Sequence, residues 1–181
     1  MTIHKKIKLP TREGQRPETG EIPHLQQTDQ SPRDIYDRMA QWGLDQIPKE
    51  LNYVLQRPTA ISVPTTKALW LDDSVPARKD AFMPPPGSRE FAHLHADGSW
   101  HLVVDEELVQ SILDARWGER HPWYHKGVLE VMVYAPRDDE ELEIVKQLVI
   151  ASIEHASNKE LSAGQVGKHW QPGELGLTQR S

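Results

Sequence analysis

The 181-residue chain has no cysteine, which excludes structural disulfides, thiolate zinc or iron–sulfur centres, and thiol nucleophiles. It is short of basic charge: 21 Lys and Arg stand against 27 Asp and Glu, a formal charge of -6, with no cationic cluster of the kind that grips a phosphate backbone. No nucleic-acid partner is expected. Long apolar runs are also missing, since no window approaches the roughly 18 consecutive apolar residues of a membrane span. The opening MTIHKKIKL is basic but lacks the apolar region and cleavage site of a signal peptide, so the expectation is a cytoplasmic protein with no membrane partner. Phenylalanine is scarce at two residues, whereas tryptophan reaches six and histidine nine. With thiols absent, imidazole is the side chain best suited to acid/base chemistry near neutral pH.

Residues 1–30 are rich in Lys, Arg, Gln, Glu, Pro and Thr and offer little apolar surface to offset chain entropy. They read as a flexible polar arm, residues 31–156 as one folded domain, and residues 157–181 as a flexible tail in which His169 and Trp170 can dock. Ser31-Pro32 predicts a helix start, with Ile35, Met39 and Trp42 on one face and Gly43 as the stop. Thr59 to Val63 and Lys67 to Leu71 read as strands joined at Pro64-Thr65-Thr66, and the proline-rich Asp72 to Ser88 as a loop able to cover a site.

Arg89 to Val104, REFAHLHADGSWHLVV, is the most informative stretch. A two-residue turn at Asp97-Gly98 would pair Leu94 with His101 and mix polar and apolar side chains on both faces. A three-residue loop, Ala96-Asp97-Gly98 with Gly98 left-handed, pairs His93 with His101 and His95 with Ser99. That register puts Ala92, Leu94, Trp100, Leu102 and Val104 on one side and Phe91, His93, His95, Ser99, His101 and Val103 on the other, so it is preferred. Asp105 caps a helix carrying Leu108, Val109, Ile112 and Leu113 that stops near Gly118. Val128 to Ala135 is a strand with Leu129, Val131 and Val133 inward and Glu130, Met132 and Tyr134 outward. Asp138 and Glu141 form a capping box opening a long helix. The fold class is α+β: a mainly antiparallel sheet of about five strands, with helices packed on one face and the other face partly open.

That open face carries His93, His95 and His101, and the loop Trp117 to Gly127 adds His121 and His125. One reading is ordinary surface histidine. A second is a divalent transition metal held by His93, His95 and His101, an H-x-H pair plus a third imidazole across the hairpin. A third is metal-free acid/base chemistry, with an imidazole taking a proton from an enol or phenol and neighbouring donors holding the oxyanion. There Trp117 and Trp123 line a pocket for a flat substrate. A non-catalytic module that binds a small molecule or a partner is a further alternative. No GxGxxG, Walker, GxSxG, CxxC or HExxH motif is present.

REFAHLHADGSWHL, then WGERHP, then VMVYAPRDDEELEIV resemble the blocks of the luciferase-domain family, small bacterial and fungal proteins that include the fungal bioluminescence luciferases. The likeness spans about residues 59 to 155. It implies an oxygenase of the kind in which fungal luciferases oxidise a hydroxypyrone luciferin with molecular oxygen and no added metal or organic cofactor. The positions it brings forward are Arg89, His93, His95, His101, Trp117, His121, Tyr134 and Arg137. The expectation is therefore a cofactor-independent oxygenase acting on a small enolisable aromatic or pyrone-like compound. His93 or His101 would be the base, His95 and His121 the orienting or oxyanion-stabilising groups, and Arg89 or Arg137 the anion clamp. A metal at His93, His95 and His101 is the alternative.

Overall fold

The computed structural model describes residues 7–161. Its helices and strands follow as α1 (Arg33–Ala40), a π-helical stretch Gln41–Gln46, α2 (Ile47–Glu50), β1 (Val54–Pro58), β2 (Lys67–Leu71), β3 (Glu90–Leu94), β4 (Trp100–Leu102), α3 (Glu106–Asp114), β5 (Gly118–Arg120), a 3₁₀ turn Tyr124–Lys126, β6 (Val131–Val133) and α4 (Asp139–Ser157). The strands form one antiparallel sheet in the order β1-β2-β3-β4-β6-β5, so the fold is α+β with six strands rather than about five. The extra strand, β5, is a three-residue edge segment too short to show alternation in the sequence.

One face is apolar because β-alternation puts Leu69, Ala92, Leu94, Trp100, Leu102, Val131 and Val133 on the same side. The buried stripes of the helices close over it: Ile35 and Met39 from α1, Val109 and Ile112 from α3, and Leu142, Val145, Leu148 and Val149 from α4. Capping follows the sequence. Asp105 accepts from the Leu108 N–H and Asp138 from the Glu141 N–H, each at 2.9 Å, satisfying donors that a helix start leaves orphaned. Glu141 reaches back to the Arg137 N–H rather than to the capping residue itself.

Three local expectations change. Ser31 does not cap α1, because its hydroxyl donates to the Pro136 carbonyl at 2.6 Å, and Pro32 stands at the cap position. Gly43 does not end the helix, which runs on through the π-helical stretch. It is a close-approach residue instead, since a Cβ there would meet the Trp100 ring at 2.9 Å. Thr59 to Val63 is not a strand: β1 lies earlier, at Val54–Pro58, and the Thr59 hydroxyl accepts from the Ile61 and Ser62 amides to fold the following residues into a turn.

Residues 7–30, expected as a flexible arm, pack along the domain, Leu9 to Arg12 against the core and the end of α3 and His24 on the second face of the sheet. They are held mainly by polar contacts: the Gln26 N–H donates to Asp97 at 3.0 Å, the Gln26 side-chain carbonyl accepts from the Ala135 N–H at 2.8 Å, and the Arg12 N–H reaches the Ala115 carbonyl at 2.8 Å. The segment from 162 onward, with His169 and Trp170, lies outside the described residues. Among the described residues no helix is long and apolar enough to cross a membrane.

Candidate functional site

The hairpin adopts the three-residue loop. Gly98 has φ +97°, its N–H donates to the His95 carbonyl, and His93 stands opposite His101. Registers across the sheet then set Ala68, His93, His101, Met132 and Glu119 in one row over five strands. One departure from alternation decides the chemistry. Leu69 pairs with Ala92 but Trp70 pairs with Glu90, which leaves Phe91 as the extra residue of a β-bulge. Phe91, expected on the histidine face, joins the core, and Glu90 is turned onto the face of His93.

Glu90 is fully buried and accepts on both oxygens, from the Thr59 hydroxyl and the Ala60 N–H, each at 2.8 Å. Its Oε1 lies 2.9 Å from His93 Nδ1, so a neutral His93 carries its hydrogen on that nitrogen and offers a lone pair on Nε2. His93 Nε2 is 3.0 Å from His101 Nδ1, His101 Nε2 is 2.9 Å from His24 Nδ1, and His24 Nε2 is 2.7 Å from Glu119 Oε1. A second carboxylate, Glu130, faces the middle of this chain, with Oε1 3.3 Å from His101 Nδ1 and 4.0 Å from His93 Nε2. His95 completes the cluster, held by the Ser99 hydroxyl on Nδ1 and near the Ser62 hydroxyl on Nε2.

Burial, reinforced by the neighbouring imidazoles, depresses the pKa of His95 and His101 far below the ordinary value, so both are neutral at pH 7. Burial pushes the Glu130 carboxyl up. Burial also acts to raise Glu119, but hydrogen bonds from His24, Arg16, Thr19 and Tyr134 outweigh it and hold the group at about 2.

The cluster forms the floor of a cleft of about 570 Å³. His121 and Trp123 stand at its mouth. The Trp123 N–H donates to His121 Nδ1 at 3.0 Å, so a neutral His121 carries its hydrogen on Nε2 and is a donor. The large apolar side chains exposed among the described residues are Ile22, Ile61, Val63 and Trp123, and all four line this cleft. An apolar rim above a polar floor is the pattern of a small-molecule site.

Of the positions read from the sequence, the structure gathers His93, His95, His101, His121 and Trp123 into the cleft. It does not bring in the other four. Arg89 clips the start of β3 by donating to the carbonyls of Leu71, Asp72 and Val75. Trp117 is buried in the apolar core with its indole N–H on the Pro10 carbonyl. Tyr134 donates to Glu119 and connects with the cluster only through that carboxylate. Arg137 pairs with Glu141. Conversely, Glu90, Glu119 and His24 enter the site without having been singled out, and Glu130, outward on its strand as expected, proves to be part of the floor.

The luciferase domain family matches residues 88–152, the segment that carries the hairpin, His121 and Glu130. A luciferase of Neonothopanus nambi is 31% identical over 170 residues, covering 83% of this chain and 61% of that protein. The chain carries a luciferase-family domain. A luciferase of Armillaria gallica is 32% identical over 104 residues, covering 51% of this chain and 39% of its own length. A luciferase of Armillaria mellea gives the same figures. The chain thus spans about two fifths to three fifths of the length of these relatives. No solved structure matches it.

Proposed function

We propose that this luciferase-family domain is an oxygen-consuming enzyme acting on a small, flat, enolisable compound of the hydroxypyrone or phenol class. The observation that carries the reading is the cleft itself: its apolar rim suits a planar ring, and its floor is a buried cluster of imidazoles and carboxylates. The curated relatives' name, luciferase, supports an oxidative reaction.

The ring enters between Trp123 and Ile61 with its acidic hydroxyl toward the floor. The electron-rich junction of His93 Nε2, His101 Nδ1 and Glu130 is where the hydroxyl proton is accepted, and the His121 Nε2–H donates to the oxyanion that remains. Removing the proton raises electron density on the ring carbon that oxygen attacks. Molecular oxygen is the second substrate.

Oxygen uptake with a panel of hydroxypyrones and catechols tests the proposal. Uptake is expected with at least one flat enol. It is expected to fall by about 10² to 10⁴ in His93→Ala and His101→Ala, the range that a positioned acid/base group contributes. Equal turnover in both variants and the parent would remove the assigned roles.

A further inference from the structure

A hydrogen bond needs one hydrogen, and the buried cluster has too few. Glu90–His93, His93–His101, His101–His24 and His24–Glu119 are four links in series, and the approach of Glu130 to His101 Nδ1 is a fifth. An uncharged imidazole brings one N–H group, so the three rings bring three hydrogens to five links. If His93 gives its hydrogen to Glu90, and His24 and His101 point theirs toward Glu119 and His24, then the unsatisfied links are the two that meet at His101 Nδ1. There two nitrogen lone pairs lie 3.0 Å apart and a carboxylate oxygen approaches both. Lone pairs so disposed repel unless a proton or a metal ion lies among them. A proton on the Glu130 carboxyl, which burial pushes up, would fill one of these two links and leave the other open.

One divalent cation answers it completely. It replaces both unsatisfied links and leaves three hydrogen bonds for three N–H groups. The spacing of the nearest pair fits as well: metal–nitrogen bonds of about 2.1 Å set at right angles place neighbouring ligand atoms about 3 Å apart, as His93 Nε2 and His101 Nδ1 are. His95 adds a third imidazole, and one ring nitrogen from each of His93, His95 and His101 lies within 4.8 Å of the others. Three imidazoles and a carboxylate are a ligand set for a first-row transition metal rather than for calcium or magnesium. Each imidazole has a holder on its other nitrogen: Glu90 on His93, Ser99 on His95 and His24 on His101. Such outer partners are what orient metal-binding histidines.

We infer that the floor of the cleft is a binding site for one divalent first-row transition metal ion, with His93 Nε2, a ring nitrogen of His95, His101 Nδ1 and Glu130 as its ligands. This rests on the proposed cleft chemistry only for its catalytic meaning. With the ion in place, it would occupy the junction where His93 and His101 otherwise accept the proton, lower the pKa of a hydroxyl bound to it, and share with His121 the stabilising of the substrate anion.

The test uses the full, untagged chain, stripped with a chelator and titrated with cobalt(II) alone under argon. One equivalent per chain is expected, with ligand-field absorption bands of a nitrogen-and-oxygen site. Affinity should fall at least 10-fold in Glu130→Gln and at least 100-fold in His101→Ala, each checked for native circular dichroism. His125→Ala, a histidine outside the cleft, should bind as the parent does. Less than a tenth of an equivalent bound by the folded parent, or binding indifferent to both Glu130→Gln and His101→Ala, overturns the inference. The two readings separate cleanly. Metal binding without oxygen uptake sinks the oxygenase and keeps the site, whereas undiminished uptake by the stripped protein, confirmed by elemental analysis, sinks the metal role and keeps the oxygenase.

Discussion

Replacing Glu90 by Gln changes one oxygen to an amide nitrogen without altering size, and the surroundings make that swap severe. The native carboxylate accepts from three donors, Thr59 Oγ1, the Ala60 N–H and His93 Nδ1. A glutamine has one acceptor oxygen. If that oxygen stays with Thr59 and His93, the amide NH₂ meets the Ala60 N–H, a donor against a donor, at a fully buried side chain. An unmet buried donor of this kind costs about 1–3 kcal/mol. If the amide rotates, its oxygen takes the Ala60 N–H and its NH₂ turns to His93 Nδ1, which must then be the acceptor. The imidazole changes tautomer, and Nε2 acquires the hydrogen that points at His101. The first outcome is paid in stability and the second in the site's chemistry. Both are measurable on chelator-stripped protein, the cost by urea denaturation and the tautomer by nitrogen-detected NMR of the His93 ring. The expectation is a loss of about 1–3 kcal/mol or a switch from the Nδ1–H to the Nε2–H form. A Glu90→Gln protein with unchanged midpoint and unchanged His93 tautomer would refute the reasoning.

Gly98→Ala is expected to lose about 1–3 kcal/mol in urea denaturation, because φ +97° is strained for any L side chain and a Cβ would collide with Ser31. Acid should also weaken the fold through Glu119. Its folded pKa, about 2, lies below the unfolded value, so its contribution is fully present above about pH 4.5 and is lost as pH falls through that window toward 2. Solvent screening at this partly exposed group brings the effect to about 1–3 kcal/mol. Urea midpoints measured from pH 5 to pH 2.5 should therefore fall less steeply in Glu119→Gln than in the parent.

The hairpin was legible because three signals agreed: sorted faces, a glycine where a left-handed residue is required, and an acidic residue before it. The helix caps at Asp105 and Asp138 were legible because capping is local. Glu90 was not, since a bulge adds one residue without marking the sequence, and strict alternation puts that carboxylate on the wrong face. His24 was hidden for a different reason. Composition measures how much apolar surface a segment can bury, and residues 7–30 are fixed instead by Gln26, Arg12 and Thr19 bonding to partners roughly 70 to 110 residues away. β1 was misplaced because Thr59, Ile61 and Val63 have strand-forming side chains, while the Thr59 hydroxyl closes a turn that propensity does not register. Arg89, Trp117, Tyr134 and Arg137 have the chemistry of a binding site, but each is already engaged by a backbone carbonyl or a carboxylate.

The order in which the chain is made gives the buried chain of side chains a further meaning. His24 is synthesised early and then waits 77 residues for His101 and 95 for Glu119, whereas His93 and His101 are only eight apart. Closing such distant contacts belongs late in folding, after the sheet has formed. The hairpin can therefore form while its cleft is still unroofed, and the arm docks only when β5 and β6 have supplied Glu119, Glu130 and Ala135. A nicked or shortened chain keeps its three hairpin histidines and loses the connection from Glu90 through to Glu119. The cluster is in this sense a proofreader of its own assembly: it is completed by a segment that is made before the hairpin and arrives after it.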